Sequence, residues 1–240
     1  MAKNLKAIAT SLLLVSCIHS ATAETVFFSN FDSTIPAQFD VGTATQTGVQ
    51  GYAGLGPIGN QFGGGFLRSS TGNMVTLTLN GLPTHTSLSL GFLFAAIDSL
   101  DGTGAFPSGD FFHVTVDGNT IFRESFANAT ADQVQSYSPP ADVELARRVD
   151  LGFSGPGSYY TDSAYNLGAD PIFNNIAHTA SSVILTFQIE GTGIQDLNDE
   201  SWAMDNLHVE ANPIPLPGSA LLFGSGLVGF AGIARKRRQV

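Results

Sequence analysis

Two oxygen-rich segments are the best candidates for chemistry in this sequence. The first runs from Asp98 through Asp101 to Asp110, and the second contains Asp199 and Asp205. Calcium binds about six to eight oxygen atoms from carboxylates, amides and backbone carbonyls, and both segments are rich in these groups. We therefore predict a calcium site formed by Asp98, Asp101, Asp110, Asp199 and Asp205. The alternative interpretation is that these residues are ordinary turn formers at strand ends.

Motifs for catalysis or for nucleotide cofactors are absent or lie in the wrong context. Residues 54–59 match G-x-G-x-x-G, but Pro57 and the glycines that follow deny the helix that a dinucleotide site requires. The chain has no G-x-S-x-G, H-E-x-x-H or P-loop motif. We predict a protein without enzymatic activity, while carboxylate pairs such as Asp98 and Asp101 leave glycoside hydrolysis open as an alternative. The histidines of the central region are isolated along the sequence, at His85, His113, His178 and His208.

Apolar and polar residues alternate in several segments, which is the pattern of half-buried β-strands. Strands are predicted at 25–31, 75–79, 88–94, 112–116, 183–189 and 203–210. Asp117-Gly118-Asn119 predicts a tight hairpin turn, because Gly and Asn tolerate positive φ. Before the C-terminal tail only 141–148 is a candidate for a short helix. We therefore predict an all-β fold, an antiparallel two-sheet sandwich of jelly-roll type.

Two long segments do not follow the strand pattern. Thr43–Gly65 is dominated by Gly, Thr and Gln, and Ala127–Ala180 by Asn, Asp, Ser, Pro and Tyr. Long loops in a compact domain are usually binding surfaces or mobile segments. The second segment contains Tyr159, Tyr160 and Tyr165, whose rings could stack on sugars or could simply pack the loop. A lectin-like carbohydrate-binding module is therefore an alternative function.

The central region is strongly acidic. Residues 24–212 contain all 20 acidic residues of the chain, four arginines and no lysine, which gives a formal net charge of −16. Nucleic acids and anionic lipids need cationic contacts, so the composition excludes both as partners of this region. Divalent cations and neutral glycans remain, and the plain alternative is that the charge serves solubility.

The N-terminus has the three parts of a secretory signal peptide. Two lysines precede the apolar stretch Ala7–Val15, and small residues follow up to Ala23. We predict cleavage by signal peptidase after Ala23, which removes the only cysteine and leaves a chain without disulfides. The alternative is that 14–17 is a bacterial lipobox, which would make Cys17 a lipidated N-terminus.

The C-terminus reads as a membrane anchor. Pro215, Leu216 and Pro217 stand at the start of an apolar run of 19 residues from Leu216 to Ala234, which at about 1.5 Å per residue nearly matches a hydrocarbon thickness of about 30 Å. A basic cluster stays on the cytoplasmic side of a spanning helix, so the rest of the chain would lie outside. The cluster is Arg235, Lys236, Arg237 and Arg238.

This tail resembles a PEP-CTERM sorting signal, differing from the Pro-Glu-Pro form in having Leu216 at the central position. The resemblance implies a Gram-negative bacterium and an inner-membrane exosortase that cuts near the proline motif and releases the ectodomain for surface attachment or export. Residues 97–102 and 202–206 also look like segments of jelly-roll ectodomains in other PEP-CTERM proteins.

Three parts of the chain follow from these patterns: a signal peptide at 1–23, a β-sandwich ectodomain at 24–212 and a sorting signal with membrane anchor at 213–240. The leading hypothesis is an exported cell-surface or extracellular-matrix protein that is an exosortase substrate. It is predicted to be non-enzymatic, to bind calcium or exopolysaccharide, and to help build the cell envelope or a biofilm. The alternatives are the lectin-like module and a carbohydrate-active hydrolase.

Overall fold

Antiparallel β-strands make up nearly all the regular structure of the computed structural model, which describes residues 22–103, 109–153 and 160–214. The described residues form thirteen strands and three short 3₁₀ turns, at Gln50–Tyr52, Leu167–Ala169 and Pro171–Phe173. The strands are β1 (Glu24–Ser29), β2 (Phe39–Asp40), β3 (Thr45–Gly48), β4 (Gly65–Ser70), β5 (Val75–Asn80), β6 (Ser87–Asp98), β7 (Phe111–Val116), β8 (Asn119–Ser125), β9 (Glu144–Val149), β10 (Asp162–Asn166), β11 (Ile176–Ala177), β12 (Ser182–Glu190) and β13 (Glu200–Asn212).

Two sheets contain these strands. The larger has the order β3-β4-β13-β6-β10-β9, with β1 also paired to β13 and β11 to β6. The smaller has the order β2-β5-β12-β7-β8. All six predicted strands are present, as β1, β5, β6, β7, β12 and β13. The prediction of an all-β fold with two antiparallel sheets is therefore confirmed.

The terminal predictions fall on other parts of the chain. Residues Ala23–Ile214 form one compact unit. Almost all of the predicted signal peptide, the sorting motif from Pro215 onward and the basic cluster lie outside the described residues, as does Tyr159. In the part of the chain that the structure describes, no helix has the length and apolar character needed to cross a membrane.

The predicted hairpin turn is confirmed between β7 and β8. Val116 pairs with Asn119, and the two residues between them, Asp117 and Gly118, have φ of 49° and 77°. Positive φ at both central positions matches the right-handed twist of the flanking strands. The turn therefore fixes the register of this pair.

The helix predicted at 141–148 is wrong, because this segment contains the edge strand β9. It pairs with β10 through a ladder with two register shifts. Arg148 has a φ of 51°, which distorts the strand and breaks its period-two pattern. Pairing with a neighbouring strand has overridden the weak local preference for helix.

The core between the sheets is rich in aromatic side chains. Phe94 and Phe112 come from opposite sheets, and their ring centroids are 4.3 Å apart. Trp202 is fully buried beside Phe112, with a centroid separation of 5.3 Å. Trp202 is therefore part of the core, as an inward-facing residue of β13.

A second core covers the outer face of the larger sheet. Leu93, Ala95 and Ile97 of β6 are fully buried against this layer. Tyr52 belongs to the same cluster and donates a hydrogen bond to Ala96 O at 3.1 Å. Residues 43–65 were expected to be a binding or mobile loop. Val49, Tyr52 and Phe62 are instead buried against the outer face of the larger sheet, and we call residues 49–64 the lid.

Candidate cation site

Three carboxylates meet at one end of the sandwich. Asp101 follows β6, Asp110 immediately precedes β7, and Glu200 is the first residue of β13. One oxygen from each group lies within 4.8 Å of the other two. All three residues are buried, with exposed fractions of 9%, 1% and 0%. We call Asp101, Asp110 and Glu200 the acidic triad.

Backbone contacts hold two of the triad residues together. The amide of Asp110 donates to Asp101 O at 2.9 Å, and the amide of Asp101 donates to Asp110 Oδ2 at 2.7 Å. Gly102 allows close approach of the neighbouring loop, because a Cβ there would lie 2.5 Å from Val134 O. The position of Asp101 is therefore set by backbone geometry on both sides.

The triad carries more negative charge than its surroundings compensate. Burial raises the pKa of all three carboxyl groups, and the charges of Asp101 and Asp110 raise the pKa of Glu200 further. Gln133 Nε2 donates to Asp101 Oδ1 at 2.5 Å, and Gln195 Nε2 donates to Glu200 Oε1 at 3.0 Å. Within the described ranges, the ion pairs found involve other carboxylates.

One oxygen of the triad is left without a partner. Asp110 Oδ1 is buried and has no hydrogen-bond donor among the described residues. Beside it stands Gly191, where a Cβ would lie 3.3 Å from Asp110 Oδ1 and 2.8 Å from Gly109 O. A Cβ at this distance from Gly109 O would clash, so a glycine is what allows residue 191 to lie this close to the two oxygen atoms. Such oxygens suit a hard cation with bonds of about 2.3–2.6 Å.

Asp98 faces a different set of neighbours from the triad. It is fully buried with a φ of 64°, and its Oδ2 lies 3.8 Å from Arg68 Nη2. Its backbone amide donates to Asp162 Oδ1 at 3.0 Å. Burial and the charge of Asp162 raise the pKa of Asp98 to about 8.

Asp199 and Asp205 also lie outside the triad. Asp199 Oδ1 accepts a hydrogen bond from Ser99 Oγ at 2.8 Å. Asp205 is five residues beyond Glu200 on β13, roughly 16 Å away along an extended strand. Its Oδ2 accepts from Gly63 N at 2.8 Å, which anchors the lid. The structure therefore brings together Asp101 and Asp110 from the predicted set, and adds Glu200.

A shallow groove adjoins the triad. It has a volume of about 320 Å³, and its lining includes Asp101 of the triad. Of the tyrosines predicted to stack on sugars, Tyr160 lines this groove, whereas Tyr165 is fully buried in the core, so the prediction is wrong for Tyr165. The lining residues are Ser99, Asp101, Ala129, Thr130, Gln133, Tyr160, Gln195 and Asp199.

Two of the isolated histidines are paired in space. His85 and His178 stack with ring centroids 5.0 Å apart, and His85 Nε2 lies 2.7 Å from His178 Nδ1. The remaining nitrogens contact Pro83 O at 2.6 Å and Asp117 Oδ2 at 3.1 Å. Each ring nitrogen has a polar neighbour, so this pair connects loops and is not arranged as a metal site.

No protein-family model matches the chain, and no curated protein matches its sequence. Among solved structures, it is similar to two cleaved adhesin domains of Lys-gingipain from Porphyromonas gingivalis W83. The K1 domain has 12% identity and a TM-score of 0.42, over 78% of this chain and 98% of that one. The K3 domain has 13% identity and a TM-score of 0.41, over 78% and 100%. The xylan-binding domain CBM22-2 of Paenibacillus barcinonensis Xyn10C has 12% identity and a TM-score of 0.35, over 78% and 99%. These similarities are too distant to assign a family or a function.

Proposed function

We propose that this chain is an exported, non-enzymatic protein of the cell surface or extracellular matrix, whose β-sandwich is stabilised by a calcium ion at the acidic triad. The carrying observation is the unpartnered Asp110 Oδ1, buried within a cluster of three carboxylates. Its ligands would be Asp101, Asp110 and Glu200, with Gly109 O as a further oxygen.

Electrostatic repulsion supports a bound cation. Two unit charges about 4 Å apart repel by about 4 kcal/mol at the effective dielectric constant typical of protein sites. The triad holds three such groups, and it must take up either protons or a cation. Calcium tolerates irregular sets of oxygen ligands, whereas magnesium requires a nearly ideal octahedron. Ligands from three separate chain segments therefore favour calcium.

The same geometry supports a non-enzymatic role. A glycoside hydrolase places its two carboxyl groups on either side of a sugar bond. The triad oxygens lie within 4.8 Å of one another and are buried, which leaves space for an ion and not for a sugar ring between them. The triad is thus better suited to holding the fold together.

The export route in this proposal rests on the two ends of the sequence. Signal peptidase would remove 1–23, and an exosortase of a Gram-negative bacterium would recognise 213–240 and cut near Pro215-Leu216-Pro217. Before the second cut, a C-terminal helix would hold a jelly-roll-like ectodomain at the outer face of the inner membrane. The charge of −16 over 24–212 would keep the released protein dispersed.

Thermal melting of the full-length protein tests the calcium site. Calcium at about 100 times its dissociation constant should add about 2.7 kcal/mol to the free energy of unfolding, which raises Tm by roughly 5–10 °C in a domain of this size. The Tm should be highest in millimolar calcium, and lower in chelator and in magnesium at equal ionic strength.

Charge-neutral variants provide the control. Asp101→Asn and Glu200→Gln should each lose most of the calcium-induced rise, because they remove a charged ligand. Asp205→Asn should lose stability at the lid but keep the rise, because Asp205 lies away from the triad. Equal melting of the wild type in all three solutions would refute the proposed site.

A further inference from the structure

The groove beside the triad has the chemistry of a site for an uncharged, hydroxyl-rich ligand. Tyr160 supplies an aromatic ring, Gln133 and Gln195 supply amides, and Asp199 supplies a carboxylate. Small-molecule sites combine apolar surface with a few such polar groups, and the volume of about 320 Å³ falls at the lower end of their range. None of the described residues that line the groove is Lys or Arg, so an anionic ligand would have no cationic partner among them.

Both amides of the groove are attached to the triad. Gln133 donates to Asp101 Oδ1, and Gln195 donates to Glu200 through its side chain at 3.0 Å and its backbone amide at 3.2 Å. Asp101 itself lines the groove. A change in the charge or position of the triad carboxylates therefore changes the hydrogen bonds of two polar residues of the groove, Gln133 and Gln195.

One wall of the groove has a further anchor besides the triad. Arg148 donates to Ala127 O at 2.9 Å, Ala131 O at 2.8 Å and Gln133 O at 2.5 Å, which fixes the loop that forms one wall. The Asp199 carboxylate, which lines the groove with Tyr160, raises the pKa of the Tyr160 hydroxyl. Arg148 thus holds one wall of the groove, and the triad holds the side-chain amides of Gln133 and Gln195.

We propose that this groove binds a neutral glycan, with Tyr160 as its stacking residue, and that calcium at the triad holds Gln133 and Gln195 in the binding arrangement. This assignment rests on the calcium site proposed above and adds a ligand class to it. Sugar hydroxyls both donate and accept hydrogen bonds, as the amides and the carboxylate of the groove require. Stacking on an aromatic ring supplies the apolar part of the contact.

Calorimetric titration of the full-length protein tests the assignment. The protein is kept in a polyoxyethylene detergent, because a sugar-based detergent would compete for the groove. The probes are neutral gluco-, manno-, galacto- and xylo-oligosaccharides, with an oligouronate as the anionic comparison. We expect at least one neutral series to bind in calcium, with roughly tenfold weaker binding in Tyr160→Ala and in chelator.

Two controls separate the glycan site from the calcium site. Phe28→Ala removes an exposed aromatic side chain of β1 and should leave both glycan binding and the calcium-induced rise in Tm unchanged. Tyr160→Ala should keep that rise while it loses glycan binding. A wild-type protein that shows the rise but binds only the oligouronate, or none of the probes, refutes the glycan site alone. Binding that is unchanged in Tyr160→Ala or in chelator refutes the groove assignment, whereas absence of the rise refutes the calcium site.

Discussion

Burial raises the pKa of the Asp98 carboxyl group into the neutral pH range. Arg68, Asp162, Asp199 and Asp150 all act on it, and burial is the largest cause of its raised pKa of about 8. Because the pKa is higher in the folded protein than in the unfolded chain, this group stabilises the fold at low pH. The contribution is lost as pH rises from about 4 to about 8, by up to about 1.4 kcal/mol per pH unit.

We compare how the free energy of unfolding changes with pH in the wild type and in Asp98→Asn. Denaturant unfolding in chelator at several pH values between 5 and 8 measures this change. The wild type should lose stability more steeply as pH rises, because the amide cannot ionise. Asp162, whose own pKa is raised to about 6, interacts with Asp98, so the difference between the two proteins reports the titration of both carboxyl groups. Parallel curves for the two proteins would show that Asp98 does not titrate in this window.

Gly191 offers a second test at the scale of one residue. In Gly191→Ala the new methyl group should occupy the space beside Asp110 Oδ1 and reduce the calcium-induced rise in Tm by more than half. Gly48→Ala is the matched control, because its Cβ would meet only Gly64 O at 3.9 Å. Melting curves with and without calcium decide between them, and an undiminished rise in Gly191→Ala would contradict the placement of the ion.

At this scale the sequence predicted part of the triad. Asp101 and Asp110 could be found because they flank a loop between two strongly patterned strands. Glu200 was missed, although its spacing from Trp202 and Met204 puts all three on one face of β13. Asp205 could not be separated from the others by spacing, because its contact with Gly63 depends on a segment that is distant in the sequence.

At the scale of elements, Arg148 braces the loop at 127–135 together with backbone contacts to Leu100 and Thr103. We expect Arg148→Ala to lower the free energy of unfolding by about 2 kcal/mol, because three backbone carbonyls lose a charged donor. Hydrogen exchange should show faster exchange in this loop. The exposed neighbour Arg147 provides the control, and similar exchange in Arg147→Ala and Arg148→Ala would argue against the brace.

Elements with a clear period of two were predictable, and those shaped by tertiary contacts were not. β5, β7 and β12 bury one face and follow the alternating pattern closely. β6 is buried on both faces because the lid covers the outer one, which the composition of 43–65 does not reveal. β9 is distorted by its register shifts, so its sequence resembles a short helix more than a strand.

At the scale of the whole molecule, the proposed export route makes a prediction about both ends of the protein. Mass spectrometry of the mature protein from its native host should find an N-terminus at Glu24 and a C-terminus near Pro215-Leu216-Pro217. Neutral replacements of the basic cluster, Arg235, Lys236, Arg237 and Arg238, should disturb membrane retention or orientation, because these charges fix the helix on the cytoplasmic side. Unchanged topology and processing in that variant would count against the sorting signal.

The path of β13 has a mechanical consequence. This strand ends at Asn212, immediately before the predicted sorting signal and membrane anchor. It pairs with β6 on one side and with β1 and β4 on the other. A pull on Asn212 against the body of the sandwich runs along the strand, so hydrogen bonds on both edges are loaded together in shear. Glu200 lies at the far end of the same strand. A calcium ion there would cross-link the opposite end of this load-bearing strand to Asp101 and Asp110.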